Sequence, residues 1–319
     1  MGGNFKFHYV IDGNAKGLFA SKGEVRQEGL LLGDGLLPYR TVCDSTTRDS
    51  RLVLVLDTTD PDIPAKTREH LQGHHLVLHV SNASAESLER YIDRFSSLHE
   101  AEAHKKKLVS EGKGHLFRVV ACPCCEATVD LSELSETPYV YCRFCESIFG
   151  DGMSTLKDPI SYRECDACGY HDRVQGYGEF YFYFLLVIYG FSHNRRHLCD
   201  ACGSSLGKKL LATNLLFLIG VPNAISCILR AGAGKDTQMA GLTEGNRLAK
   251  KGQIDKANEH YQKVLNNFKG HPGVHYNRAL GNFASKRMNE GLQDLATVIE
   301  VCPTHLPALR LIDRLSTPA

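Results

Sequence analysis

Eight of the twelve cysteines in this chain fall into four C-x2-C pairs: Cys122 with Cys125, Cys142 with Cys145, Cys165 with Cys168, and Cys199 with Cys202. A thiolate is a soft, strongly donating ligand, and two of them on one tight turn can face a single metal ion. Two pairs supply the closed four-sulfur shell of structural zinc, so four pairs predict two zinc ions. A catalytic zinc keeps one position open for water and usually carries His or carboxylate ligands. Four thiolates leave no such position. A redox dithiol would call for one pair at a helix N-terminus after a strand, not four matched copies.

Spacing alone leaves the pairing open. Sequential pairing (Cys122/Cys125 with Cys142/Cys145, and Cys165/Cys168 with Cys199/Cys202) closes the shorter loops and is favoured. Interleaving would give a RING-like cross-brace, although that family usually includes a His ligand and these eight are all Cys. Cys43, Cys124, Cys227 and Cys302 remain, and Cys124 competes with Cys125. His70, His74, His75 and His79 form a histidine-rich patch with no Cys or carboxylate to complete a ligand set, so it reads as an edge-strand or solvated feature.

The N-terminal residues contain no apolar signal core, which places the chain in a reducing, cytoplasmic setting where cysteine pairs read as ligands. Gly2 invites a myristoylation reading, but Lys6 stands where that motif needs Ser or Thr. The chain has 37 basic and 36 acidic residues, which gives no global field for nucleic acid. No nucleophile elbow, zinc-protease helix or nucleotide loop occurs. In Ala231–Asp236 the P-loop pattern fails, with Leu229 at its first Gly position and Asp236 at its hydroxyl position, so the stretch reads as a linker. The expectation is a non-enzymatic protein.

The elements that must position these cysteines give a multidomain α+β reading in four parts. Residues 1–113 show alternating apolar positions (Phe5, Phe7, Tyr9, Ile11) and strands at Val25–Leu32, Leu36–Val42, Arg51–Leu56 and His75–Val80, with turns at Asp12-Gly13 and Lys22-Gly23. A helix from about Ser84 carries Leu88, Tyr91, Ile92, Phe95 and Leu98 on one face and ends at Gly112 and Gly114. This order, an antiparallel β-roll with a C-terminal helix, resembles the pleckstrin-homology or GRAM-like roll. A lipid-headgroup site of the sort that resemblance implies would need a basic cluster in an early strand loop, where Lys16 stands nearly alone.

Residues 116–206 form the cysteine region. Cys122-Pro-Cys-Cys125, a polar hairpin and Tyr139-Val-Tyr-Cys-Arg-Phe-Cys145 resemble a zinc ribbon, which implies Cys122, Cys125, Cys142 and Cys145 as one ligand set. The second set has a longer insert whose aromatic run, residues 178–190, reads as a strand. Gly169 and Gly203 each follow a knuckle and would permit a positive φ. Ribbons of this kind often bind nucleic acid, but no stripe of Lys and Arg interleaved with aromatics stands out.

Residues 207–237 hold an uncharged run, 210–229, about as long as a hydrocarbon core is thick. Gly220, Pro222 and Asn223 interrupt it, which favours a bent pair of buried helices; a membrane span is the rival reading. In residues 238–319, Gly245, Leu248, Gly252, Ala257, Tyr261 and Val264 resemble the packing positions of a tetratricopeptide repeat. Its period predicts a second copy at Ala279, Gly291, Leu295 and Val298, closed by Pro303, and a capping helix follows over His305–Leu315. The resemblance implies a concave groove for a protein or peptide, with Asn246 and Asn277 as candidate partner-binding residues. The sequence therefore supports a zinc-stabilised scaffold or adaptor working through the repeats. Its alternatives are a membrane-anchored adaptor and a nucleic-acid-binding ribbon protein.

Overall fold

A computed structural model describes residues 3–48, 50–80, 82–150, 161–185, 188–214, 221–232 and 239–317. Parts of three stretches singled out above lie outside the described residues: 186–187 of the aromatic run, 215–220 of the uncharged run and 233–236 of the linker. The chain divides into two compact units, residues 1–134 and 135–319.

The first unit is built on eight antiparallel strands: β1 (Asn4–Ile11), β2 (Asn14–Ala15), β3 (Ser21–Val25), β4 (Gly29–Leu32), β5 (Gly35–Pro38), β6 (Val42–Arg48), β7 (Arg51–Leu56) and β8 (His75–Val80). The order across the sheet is β5-β4-β3-β1-β8-β7-β6, with β2 paired to β1. Alternation explains it: Phe5, Phe7, Tyr9, Leu52, Leu54, Leu76 and Leu78 turn inward and are buried. A short helix, α1 (Ala65–Arg68), precedes β8, and the long helix α2 (Asn82–Ser110) follows it. Ala85, Leu88 and Ile92 of α2 join the same core. A small hairpin, β9 (Val119–Ala121) with β10 (Thr128–Asp130), packs on α2 through Thr128 N donating to Ser97 Oγ at 2.9 Å and the His104–Asp130 pair at 2.5 Å.

Two expectations are corrected here. Lys22-Gly23 is not a turn: it lies inside β3, where a Cβ on Gly23 would come within 2.3 Å of the Phe5 ring. Val25–Leu32 is two strand segments rather than one. The polar stretch 42–48 is a strand, because its polar residues meet carboxylates on α2: Ser45 Oγ donates to Asp93 Oδ1 at 2.6 Å, and Thr47 N donates to Glu89 Oε1 at 3.1 Å.

The second unit opens with β11 (Tyr139–Tyr141) paired to β12 (Ile148–Gly150), then β13 (Tyr162–Glu164), β14 (His171–Leu185) and β15 (Ile188–Cys199). The β14–β15 hairpin is long, in register from Val174↔Cys199 to Leu185↔Ile188. Helices α3 (Asp200–Asn214) and α4 (Val221–Gly232) follow, close enough that a Cβ on Gly207 would meet Ile228 Cγ1 at 2.7 Å. No helix among the described residues is long and apolar enough to cross a membrane.

Five helices complete the unit: α5 (Ala240–Ala249), α6 (Ile254–Asn267), α7 (Pro272–Ala284), α8 (Met288–Val301) and α9 (Leu306–Ser316). They form two helical hairpins and a terminal helix. Small residues sit under rings where the helices meet: a Cβ on Gly245 would lie 2.5 Å from Tyr261, and one on Gly291 would lie 2.5 Å from Phe283. The two hairpin turns place Gly252 (φ 74°) and Lys286 (φ 61°), 34 residues apart, in the same left-handed conformation.

Candidate metal centres

The knuckles are built by backbone hydrogen bonding. In the first three, the amide of the residue after the second Cys closes the turn onto the carbonyl of the first: Glu126 N donates to Cys122 O at 2.9 Å, Glu146 N to Cys142 O at 2.8 Å, and Gly169 N to Cys165 O at 2.8 Å. The residue after the second Cys is left-handed in each: Glu126 (φ 63°), Glu146 (φ 60°) and Gly169 (φ 70°). The fourth knuckle differs, which corrects the role expected for Gly203. Cys199 ends β15, Cys202 lies in the first turn of α3, and Gly203 is helical. Gly203 is required for another reason: a Cβ there would come within 2.3 Å of the buried Tyr177 ring.

The thiols gather in sequential sets. Cys122, Cys125, Cys142 and Cys145 form one and Cys165, Cys168, Cys199 and Cys202 the other, with the sulfurs of each set within 4.8 Å of one another. None of the twelve cysteines forms a disulfide. Cys124 lies outside both sets, and the histidine-rich patch forms no comparable group among the described residues. Four sulfurs placed about 2.3 Å from a central zinc are about 3.8 Å apart. Cys168 Sγ and Cys199 Sγ are separated by 3.9 Å, which fits.

Electrostatics in the second set point the same way. Cys165 is held well below the ordinary thiol value by hydrogen bonds from Cys168, then Cys199 and Cys202. Cys199 is pushed far up by its contacts with Cys165 and Cys168, and Cys202 by the same two neighbours. Four crowded thiols cannot all ionise by themselves; a divalent cation lets them. The backbone helps, with Cys199 N donating to Cys165 Sγ at 3.3 Å and the helix N-terminus of α3 favouring negative charge at Cys202.

The helical hairpins contribute a cation. Lys250, just past α5, directs Nζ at Cys199 Sγ at 3.6 Å and lies 5.2 Å over the Tyr170 ring. Burial works to lower its pKa, but the thiol of Cys199 and then that of Cys168 outweigh this and hold the ammonium above its ordinary value.

Asn246 and Asn277 are fully buried and engaged by the chain itself, which corrects the picture of asparagines lining an open groove. Asn277 Oδ1 accepts from His171 N at 2.8 Å, and its Nδ2 donates to His171 O at 2.7 Å. Asn246 Nδ2 donates to the same carbonyl at 3.0 Å, and Tyr261 OH donates to Asn246 Oδ1 at 2.8 Å. Next to it, Thr243 Oγ1 donates to the buried Asp172 Oδ1 at 2.8 Å. The start of β14, three residues after Cys168, thus lies across the helical hairpins as an extended peptide would. Sequence reasoning missed Lys250, His171 and Thr243, whose partners lie far away in the chain.

No protein-family model, curated protein or solved structure matches this chain.

Proposed function

We propose that this chain is a non-enzymatic, zinc-binding scaffold in which each four-thiol set holds one structural zinc. Zinc suits a tetrahedral four-sulfur shell, and a filled shell supplies rigidity rather than Lewis acidity. One observation carries the reading: the hairpin that supplies Cys165 and Cys168 also places His171 between Asn246 and Asn277. Metal binding and the ordering of the helical hairpins are therefore one folding event.

The tetratricopeptide-like character of these helices supports a role in binding another protein. With the asparagine face holding β14, contact falls to the outer surface, where Met288 and Leu292 of α8 and Leu309 and Leu315 of α9 are exposed. The test is capture of interacting proteins by the full chain. Met288→Asp with Leu292→Asp abolishes capture while the circular dichroism and zinc content stay unchanged. Capture that survives both substitutions removes this face from the proposal.

A further inference from the structure

The outer face of the first unit's sheet collects cations that the sequence disperses. Pairing of β1 with β3 sets Lys6 directly opposite Lys22. Pairing of β1 with β8 and of β8 with β7 lines up His8, His79 and Arg51 in one row. Their neighbours Phe5, Phe7, Tyr9, Leu52 and Leu78 face the core, so alternation turns this set outward, where Lys6, Lys22, Arg51 and His79 are exposed. Like charges directly opposite one another weaken a sheet. Neither Lys6 nor Lys22 has an ion-pair partner among the described residues; Glu24, on the same side of β3 as Lys22, is held by Arg26 at 2.9 Å, and the other acid on this face, Asp44, lies on the edge strand β6.

The loop of residues 16–20 joins β2 to β3. Lys16 N donates to Tyr9 O at 2.8 Å, and His8 Nδ1 lies 3.3 Å from Lys16 O, so the loop is anchored beside the histidine row. At its tip Leu18 is 95% and Phe19 88% exposed, more than any other large apolar residue described. Gly17, at φ 87°, permits the bend that precedes them.

An apolar wedge or a cluster of lysines alone binds a membrane weakly, whereas the two together bind it stably. RNA would use the cations and leave Leu18 in water. A purely apolar protein surface would cover Leu18 and Phe19 and leave the opposed lysines unneutralised. We propose that the first unit docks on an anionic lipid bilayer. Leu18 and Phe19 enter the headgroup region, and Lys6, Lys16, Lys22 and Arg51 lie against the lipid phosphates. Docking of this kind needs no spanning helix and is independent of the zinc reading.

The chain contains no Trp, so Phe19→Trp in the full-length protein places a lone indole at the tip. Its emission shifts to shorter wavelength with vesicles of phosphatidylserine and phosphatidylcholine, and stays put with phosphatidylcholine alone. Each basic residue near such a surface is worth about fivefold in partitioning. Lys6→Glu with Lys22→Glu therefore lowers co-sedimentation with the anionic vesicles by more than about tenfold. Leu18→Ser with Phe19→Ser lowers it as well, while circular dichroism stays unchanged. No shift with anionic vesicles, or equal binding to neutral ones, overturns the proposal. A shift with heparin or polyuridylate but none with vesicles reassigns the face to a soluble polyanion and also overturns it.

Discussion

The ammonium of Lys250 lies 3.6 Å from the sulfur of Cys199. The two residues are 51 positions apart, one just after α5 and the other in the second four-thiol set. A zinc ion with four thiolates carries a net charge of about −2, and Lys250 brings a positive charge to its edge. Groups outside the ligand shell that neutralise or orient it typically change metal affinity by about 10–100-fold. Lys250→Met is expected to weaken the second site by about tenfold and leave the first unchanged, as read by chelator competition on the full chain. Lys250→Arg restores part of the loss. Equal affinity in Lys250→Met would show that the charge is incidental.

The asparagines make a second prediction. Asn277 satisfies both backbone groups of His171, and Asn246 shares the same carbonyl. Truncating either residue leaves buried polar groups short of partners, at about 1–3 kcal/mol. Asn277→Ala should cost more than Asn246→Ala, because only Asn277 accepts from the His171 amide. The double variant should cost less than the sum of the two, since the hydrogen bond from Asn277 Nδ2 to Asn246 Oδ1, at 2.8 Å, is lost in either single variant and counted twice in the sum. Urea unfolding of the zinc-loaded protein measures this.

A third prediction concerns pH. Burial, reinforced by Glu146, pushes the Glu164 carboxyl up to about 8 from an ordinary value of 4.5. The folded chain then keeps a proton that the unfolded chain has already released. Stability from this group is complete at low pH and is lost as pH rises through about 8. Burial lowers His171 to about 4, a contribution that is complete above its ordinary value of 6.5 and is lost as pH falls. Above pH 6.5 the histidine contribution is constant, so Tm should fall between there and about pH 8.5, and Glu164→Gln should flatten that slope. A Glu164→Gln curve parallel to that of the unmodified chain would contradict the assignment.

Lys286 offers a gain in stability. It follows α7 at φ 61°, where its counterpart in the preceding hairpin turn is Gly252. A glycine removes the steric cost of a left-handed residue at this cap position. Lys286→Gly should therefore raise unfolding stability by about 0.5–1 kcal/mol, measured by thermal denaturation.

The candidate site was legible in the sequence wherever its chemistry was local. C-x2-C spacing marked all eight cysteines that gather into the two sets, and the preference for short loops anticipated their sequential grouping. The alternation of Phe5, Phe7 and Tyr9 and the small residues Gly245 and Gly291 likewise marked the surfaces that pack. Features set by distant partners were hidden. The strand at 42–48 looks polar until Ser45 and Thr47 meet the carboxylates of α2. Gly203 resembles Gly169 in sequence, but the fourth knuckle runs from a strand into a helix, and Tyr177 decides why that residue is a glycine. Asn246 and Asn277 could be recognised as special, yet no local pattern shows that their peptide comes from the same chain. The cations around Lys6 are spread from residue 6 to residue 79 and become a patch only through strand pairing.

Metal stoichiometry by native mass spectrometry, on the full chain and on two double variants, tests the central claim most directly. The account predicts two zinc ions per chain. One ion is lost in Cys122→Ser with Cys125→Ser, and the other in Cys165→Ser with Cys168→Ser, each variant keeping the ion of the opposite set. A chain that folds with no bound metal, or two variants that each lose both ions or the same one, would contradict it.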